Sequence, residues 1–461
     1  MAATDGSVFE LPKLRVSIGF ENDTRFLGHD DNVAEFFDIK FCPYQPLDCD
    51  PVFAAVSKKH IVICKLSPST GESNPCDIIN IIRDDDDEAS GCCCGVDAKV
   101  KIYDVSDGSL VECFVGHGGD VNDLATSPIE PSIIASASDD TSVRIWSLDP
   151  IHKEQPCLCI LAGEGHSWNL LSLWTIPDLP TDAITTPLQV HYPHFSTSAV
   201  HSGIVDCVAF YGDCVLSRAC HDNVIVLWRI EGFSSEGLPP PQSAAPTPQN
   251  VVPTSYEDPD RLTRSAFVPA TSPQCPSQYT RLLEFHTPNC GPQFFMRFKL
   301  FHVPDQNPVL AFCNAAGNIF FWDFRRLTVY HEVMAGLQGK SKAAVTPSWL
   351  KPFTPRQRAD AMGRFKGVGS DRDSLASGQT GQTEASEYSP ETLESWASRY
   401  STEDPHEPLR AHKTESSSTN FVGRQAAWSP GGEWCVVVGS SNTMLILQRW
   451  AKGAPCSRST G

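Results

Sequence analysis

Residues Gly116 to Leu148 read GHGGDVNDLATSPIEPSIIASASDDTSVRIWSL, and the grammar of this stretch recurs along the chain. It opens on Gly-His, alternates apolar and polar residues, and runs into the apolar segment Ile133-Ile134-Ala135-Ser136-Ala137. It then turns at Ser138-Asp139-Asp140 and closes on Val143-Arg144-Ile145-Trp146. Period-two alternation broken by Ser, Asp and Gly describes short strands joined by tight turns. The same order of features occurs from Phe37 to Leu66, His201 to Ile230, Phe295 to Phe324 and Arg424 to Trp450, with partial copies at Val96 to Asp104 and His166 to Ile176. One such unit cannot bury its own apolar faces, so the units must stack into a continuous core. That constraint outweighs length, since 461 residues with 41% apolar content would suit two or three ordinary domains equally well.

A His near the start of the unit, an Asp in its last turn and a Trp ending the third strand are the marks of a WD-repeat blade. Five intact and two partial units make seven, so the predicted fold is all-β, a seven-bladed WD-repeat β-propeller. The strand near Leu14 to Gly19 is expected to complete the last blade. Two blades are short. From the end of the first strand to the closing position, intact units use 18 residues (Phe210 to Trp228), 20 (Thr126 to Trp146), 23 (Phe41 to Cys64) and 24 (Phe298 to Trp322). The second unit offers nine, from Cys94 to Tyr103, and in the fourth His166 and Trp174 lie eight apart where the third separates His117 and Trp146 by 29. At ~3.3 Å per residue neither span holds three antiparallel strands. Blades two and four are therefore predicted to be incomplete, whether through absent coding segments or a reduced ring.

These features divide the chain into a tail over 1–13, a first part of the propeller over 14–232 carrying blades one to five, blade six over 279–330, blade seven over 408–450 and a tail over 451–461. Between them lie two insertions predicted to be disordered. The first, 233–278, carries ten prolines from residue 236 onward, which block regular ladders. The second, 331–407, is rich in Ser, Gly and charge and shows no strand pattern. Within it KPFTPRQRADAMGRFKG gathers basic residues beside Phe353 and Phe365, which suits a solvated linker, a short docking helix or a nucleic-acid contact.

A net charge of −19 argues against a general basic grip on nucleic acid and suits basic partners such as histone tails. No stretch approaches the ~18 consecutive apolar residues of a membrane span, and MAATDGSVFELPK lacks a signal-peptide core, so neither membrane nor export is expected. Eighteen cysteines spread without a CxxC pair read as reduced, apolar strand residues. The cluster GCCCG, Gly91 to Gly95, has no further ligand at metal-binding spacing, so no metal site is predicted. His117, His166 and His201 occupy the blade-start position, where a His bonds within its own blade. No nucleophile, metal cluster or phosphate loop accompanies them, so no catalytic residue, cofactor or enzyme activity is predicted.

One run has no place in the repeat grammar. HYPHFST, residues 191–197, precedes the fifth unit, and the longer run VHYPHFSTSAVHSGIVDCVAF resembles the segment that marks the Esc/EED family, the WD-repeat subunit of Polycomb repressive complex 2. FVGHGGDVNDL, QFFMRF and GRQAAWS add to the likeness, which extends with gaps over about Leu14 to Ile230, Tyr279 to Phe324 and Pro408 to Trp450. The resemblance implies a nuclear chromatin scaffold in transcription repression. One propeller face would hold a SET-domain histone methyltransferase subunit, with a zinc-finger companion subunit in the complex, and the other would read a trimethylated histone H3 tail.

A trimethylammonium group donates no hydrogen bond and is weakly hydrated, so aromatic faces hold it, each contributing ~0.5–1 kcal/mol when exposed. By the same resemblance the methyl-lysine-binding residues are Phe37 in FFDIKF, Phe295 with Phe294 in QFFMRF, and Arg424 in GRQAAWS at the rim. Aromatics at strand starts also pack between blades, a role open to Phe36 or Phe294, and Arg424 can equally pair with a carboxylate. The family's third ring belongs at the start of blade two, where EASGCCCG offers none at Gly91 or Cys92 and Tyr103 lies in the closing strand. Losing one wall costs about 1 kcal/mol, roughly fivefold in affinity. The alternative reading is a substrate receptor of a cullin-type ubiquitin ligase, resting on the Trp-Asp-x-Arg spacing of Trp322, Asp323 and Arg325.

Overall fold

The computed structural model describes residues 6–20, 35–57, 59–67, 74–84, 98–163, 170–250, 252–253, 262–268, 278–291, 293–339, 346–350, 388–417 and 421–450. Alternating sequences form strands, and each apolar face meets the next sheet around a ring. Blade one is built from Phe36–Phe41, Val52–Ser57, His60–Leu66 and Cys76–Arg83. Blade three contains Val121–Thr126, Ile133–Ser138, Ser142–Ser147 and Cys157–Ala162, with Leu188–Val190 added parallel to the last. Blade five contains Val205–Tyr211, Cys214–Ala219, Val224–Ile230 and Tyr279–His286. Blade six contains Lys299–Phe301, Val309–Cys313, Asn318–Asp323 and Lys413–Ser416. Blade seven joins Gly423–Trp428, Trp434–Gly439 and Thr443–Gln448 to the N-terminal strand Lys13–Gly19, which pairs with Thr443–Gln448 and fastens the two ends of the ring.

Buried apolar residues seat each sheet on its neighbour. Phe36, Val62, Val436 and Ile446 join blades one and seven, and Phe321, Trp428 and Val437 join blades six and seven. Leu216, Phe285, Leu310 and Trp322 join blades five and six, and Val100, Phe114 and Trp146 pack the two-stranded sheet onto blade three.

The count of seven blades is corrected: six sheets of four or five strands are present among the described residues. Among the described residues the second unit forms a two-stranded sheet, Lys99–Tyr103 with Leu110–Val115. At the inner rim blade one reaches blade three directly, Lys40 Nζ donating to Leu124 O at 2.7 Å. The fourth unit is also built otherwise than predicted. Its local strands are Leu171–Leu173 and Phe195–Thr197, and the chain completes the sheet with Leu262–Ser265 and Val252–Pro253 from the proline-rich insertion.

That strand corrects the expectation of disorder across 233–278, since Thr263 and Arg264 within it are buried. It also explains HYPHFST. Phe195 packs on Trp228 at 5.9 Å between ring centroids, Thr197 Oγ1 bonds Thr263 Oγ1 at 2.8 Å, and the His194 carbonyl accepts from Ala266 N–H at 2.7 Å. The run is a clasp that holds the insertion onto the propeller.

Three further boundaries shift. Tyr279–His286 completes blade five, not blade six, and Lys413–Ser416 completes blade six, not blade seven, because each blade's outer strand precedes the next blade's inner one. The segment 331–407 is not wholly disordered either: helix α1 runs over Phe324–Leu337 and helix α2 over Pro390–Tyr400. The N-terminal tail is docked as well, with Phe9 against Trp349 at 5.8 Å and Arg326 Nη2 donating to Phe9 O at 2.5 Å. The basic stretch around Phe353 and Phe365 and the tail over 451–461 lie outside the described residues.

Candidate functional site

The blade-start histidines are structural. The Trp146 Nε1–H has only a proton to give, so Ser136 Oγ accepts it at 2.7 Å and turns its own proton to His117 Nε2, also at 2.7 Å. His117 Nδ1–H then donates to Asp140 Oδ2 at 2.9 Å. Burial lowers the imidazole below its ordinary value. Burial also acts to raise the Asp140 carboxyl, but hydrogen bonds from Ser142, Gly118 N–H and His117 outweigh it and hold the group well below the usual carboxylate range. Blade five repeats the arrangement, with His201 bonded to Asp222 at 2.8 Å and to Ser217 at 2.7 Å, and Trp228 Nε1 donating to Ser217 at 2.9 Å. His166 lies outside the described residues.

The inner strands of blades one, three, five and seven share one irregularity. Register slips around the second residue of each, leaving Phe37, Asn122, Asp206 and Arg424 as the extra residue of a β-bulge. A bulge breaks the alternation of faces and re-aims one side chain, and such bulges sit beside functional sites. In blade one this separates two neighbours: Phe36 is fully buried against Phe20, their centroids 5.6 Å apart, while Phe37 is half-buried. In blade seven the residue before the bulge must be glycine, because a Cβ on Gly423 would stand 2.4 Å from Cys313.

Arg424 draws three blades together. Its Nε donates to Glu35 Oε1 at 2.6 Å, next to Phe36 and Phe37, and its Nη1 donates to Phe294 O at 2.7 Å. Its own carbonyl accepts from Arg297 N–H at 2.8 Å. The expected site residues of blades one, six and seven are thus joined through one guanidinium. Phe294 is 41% exposed with its ring 5.7 Å from His221, and Phe295 is 47% exposed with Arg297 5.8 Å over its ring. The exposed rings of Phe294 and Phe295 are faces of the kind that hold an organic cation; Glu35 is paired with Arg424, and the exposed Asp123 lies 3.8 Å from Arg297. The place expected for a third ring, Gly91 and Cys92, lies outside the described residues.

Sequence reasoning missed Glu35, Asp206, Arg218 and Arg297. The available signal was positional, since Asp206 stands at the same second place of an inner strand as Phe37 and Arg424. Among the described residues no group of three or more metal-ligating side chains occurs, and no helix is long and apolar enough to cross a membrane.

Residues 108–147 match the WD domain, G-beta repeat family. Polycomb protein EED of Chaetomium thermophilum is 42% identical, the alignment covering 98% of each chain. This chain belongs to the EED family of Polycomb proteins. Polycomb protein esc of Drosophila melanogaster is a more distant member, 28% identical over 29% of this chain and 39% of its own length. A chain in the crystal structure of an active polycomb repressive complex 2 in the basal state superposes with a TM-score of 0.81 at 42% identity, covering 96% of this chain and 99% of that one. A chain of the complex described with H3K27me3 and H3K27M gives 0.80 at 43% identity, covering 97% and 99%. As an EED-family WD-repeat protein the chain is not an enzyme. The ubiquitin-ligase reading is not supported. Asp323 is fully buried as the N-cap of α1, accepting Arg325 N–H at 2.9 Å, and Trp322 Nε1 donates to Leu409 O at 3.1 Å, so the motif serves to start a helix.

Proposed function

We propose that this chain is the scaffold and reader subunit of a Polycomb-type histone H3 lysine methyltransferase complex in the nucleus, holding a SET-domain subunit and a zinc-finger companion and binding a trimethylated H3 tail through Phe37, Phe294, Phe295 and Arg424. The observation that carries the reader role is the Arg424 bracket, which ties the segment before Phe37 to the backbone of Phe294. The relatives' assembly in polycomb repressive complex 2, once with H3K27me3, supports the same reading.

The test is a titration of trimethylated and unmodified H3 peptides against the wild-type chain and against Phe37→Ala and Phe295→Ala. Each substitution is expected to weaken trimethyl-lysine binding by ~1–2 kcal/mol, roughly five- to thirtyfold, with unmodified peptide unaffected. Equal affinities throughout would remove the reader role. Co-purification without a SET-domain subunit would remove the scaffold role.

A further inference from the structure

Phe295 has a backbone φ of +56°, a left-handed conformation that a bulky residue holds only where its surroundings over-determine it. The conformation has a use. In extended backbone Phe294 and Phe295 would point to opposite faces, yet here both rings are exposed, at 41% and 47%, while the next residue, Met296, is fully buried.

What fixes Met296 lies in the adjacent blade. Arg218, in the second strand of blade five, is fully buried, and its Nη1 stands 3.0 and 2.8 Å from the two carboxylate oxygens of Asp206, the bulge residue of the inner strand. The same Nη1 donates to Met296 O at 3.1 Å, and Asp206 Oδ2 accepts Met296 N–H at 3.4 Å. One ion pair therefore receives both polar groups of a single peptide residue. The guanidinium also packs 5.1 Å from the Phe312 ring. Together with Arg424, which holds Phe294 O and Arg297 N–H, the pair pins the backbone on both sides of Phe295.

We propose that Asp206 and Arg218 are the positioning residues of the methyl-lysine site, their buried ion pair holding Phe295 in the left-handed conformation that turns both rings to the rim. This rests on the reading of those rings as a cation site. Neither residue touches the ligand; each acts through the backbone of Met296.

The test replaces the pair with apolar residues of similar size, Asp206→Leu with Arg218→Met, a change that leaves no unpaired buried charge and that folds tolerate. Peptide affinity is read with trimethylated and unmodified H3 peptides, and amide exchange is followed over residues 294–297. The double variant leaves Met296 N–H and O without these partners and is expected to melt earlier but in one cooperative transition, to exchange these amides faster, and to lose about fivefold or more of its trimethyl-lysine affinity, the equivalent of one cage wall, with unmodified peptide unchanged. Asp206→Asn keeps an acceptor for Met296 N–H but leaves the buried Arg218 charge unpaired, so it is expected to melt earlier than the wild-type chain; read below its melting transition, its peptide selectivity is expected to fall between those of the wild-type chain and the double variant. Wild-type chain that binds both peptides equally overturns the cation-site reading and this role with it. Methyl-selective binding that survives intact in the double variant and in Asp206→Asn, or equal loss of both peptides, overturns this role alone.

Discussion

Ser136 and Ser217 are single hydroxyls with two obligations. Each accepts a tryptophan N–H and donates to a histidine, in blades three and five respectively. Ser217→Ala orphans two fully buried groups at once, at about 1–3 kcal/mol each, whereas exposed substitutions stay within roughly 0.5 kcal/mol. Urea unfolding of Ser217→Ala is expected to show the large loss, and a Ser243→Ala control, an exposed position, the small one. The histidine makes these clusters sensitive to acid. Because the folded pKa of His117 is lowered, the unfolded chain takes up the proton first as pH falls through its ordinary value near ~6.5. The contribution of His117 is therefore full above that value and erodes below it. Melting temperature is expected to hold between pH 7 and 8 and to fall on acidification below about pH 6.5, less steeply in His117→Asn. These clusters were legible because all their members fall within one repeat. The Asp206–Arg218 clamp was not, since its target Met296 lies some 78 residues beyond Arg218 and only the fold brings them together.

The strands of the intact repeats were readable from alternation, and spacing arithmetic located the two places where blades could not form locally. What the arithmetic missed was compensation from a distance: Leu262–Ser265 is four residues long, lies among prolines, and becomes a strand only because Phe195–Thr197 offers it an edge. Helix α2 did carry local signals, Ser389 as N-cap accepting Thr392 N–H, Pro390 in the first turn, Glu391 beside it, and buried Trp396 and Tyr400 on one face. They were masked by the Ser-, Gly- and charge-rich sequence around them. A single histidine fastens this helix to blade six. His412 Nδ1 accepts Asp323 N–H at 2.9 Å and Nε2 donates to Arg399 O at 2.9 Å, which requires the neutral ring. Burial, reinforced by the nearby Arg326 charge, holds its pKa well below the ordinary value. The sign is that of His117: docking is strongest above the unfolded value and weakens as pH falls toward the folded one. Protonation would place an N–H against the Asp323 N–H. Amide exchange over residues 390–400, corrected for intrinsic rates, is expected to rise between pH 7.5 and pH 5 while that of Trp434–Gly439 in blade seven stays protected; equal change in both would mean that acid loosens the whole ring.

A propeller has no single core; its stability is a sum of sheet-to-sheet contacts, so a reduced blade leaves its neighbours' faces uncovered. The inner strand of blade five shows this on alternate residues. Cys207, Ala209 and Tyr211 pack toward blade six, while Val208 and Phe210 are 59% and 61% exposed on the opposite side, toward blade four. Among the described residues blade four presents there the three-residue strand Leu171–Leu173, because Phe195–Thr197 pairs on its outer side and the two strands from the insertion add beyond that, at the far edge of the sheet. Large apolar residues on an inner propeller strand normally contribute about 1.5–3 kcal/mol each by burial, and at this exposure Phe210 forgoes most of that. Phe210→Ser is therefore expected to change unfolding free energy by no more than roughly 0.5 kcal/mol, and to lower self-association in sedimentation velocity by removing an exposed apolar patch. Ala209→Ser, one residue away but facing the packed side, is expected to destabilise more, because it places a hydroxyl against the apolar cluster shared with blade six. A loss of several kcal/mol from Phe210→Ser would show that the ring covers this face in solution, and that blade four is fuller than its strands imply.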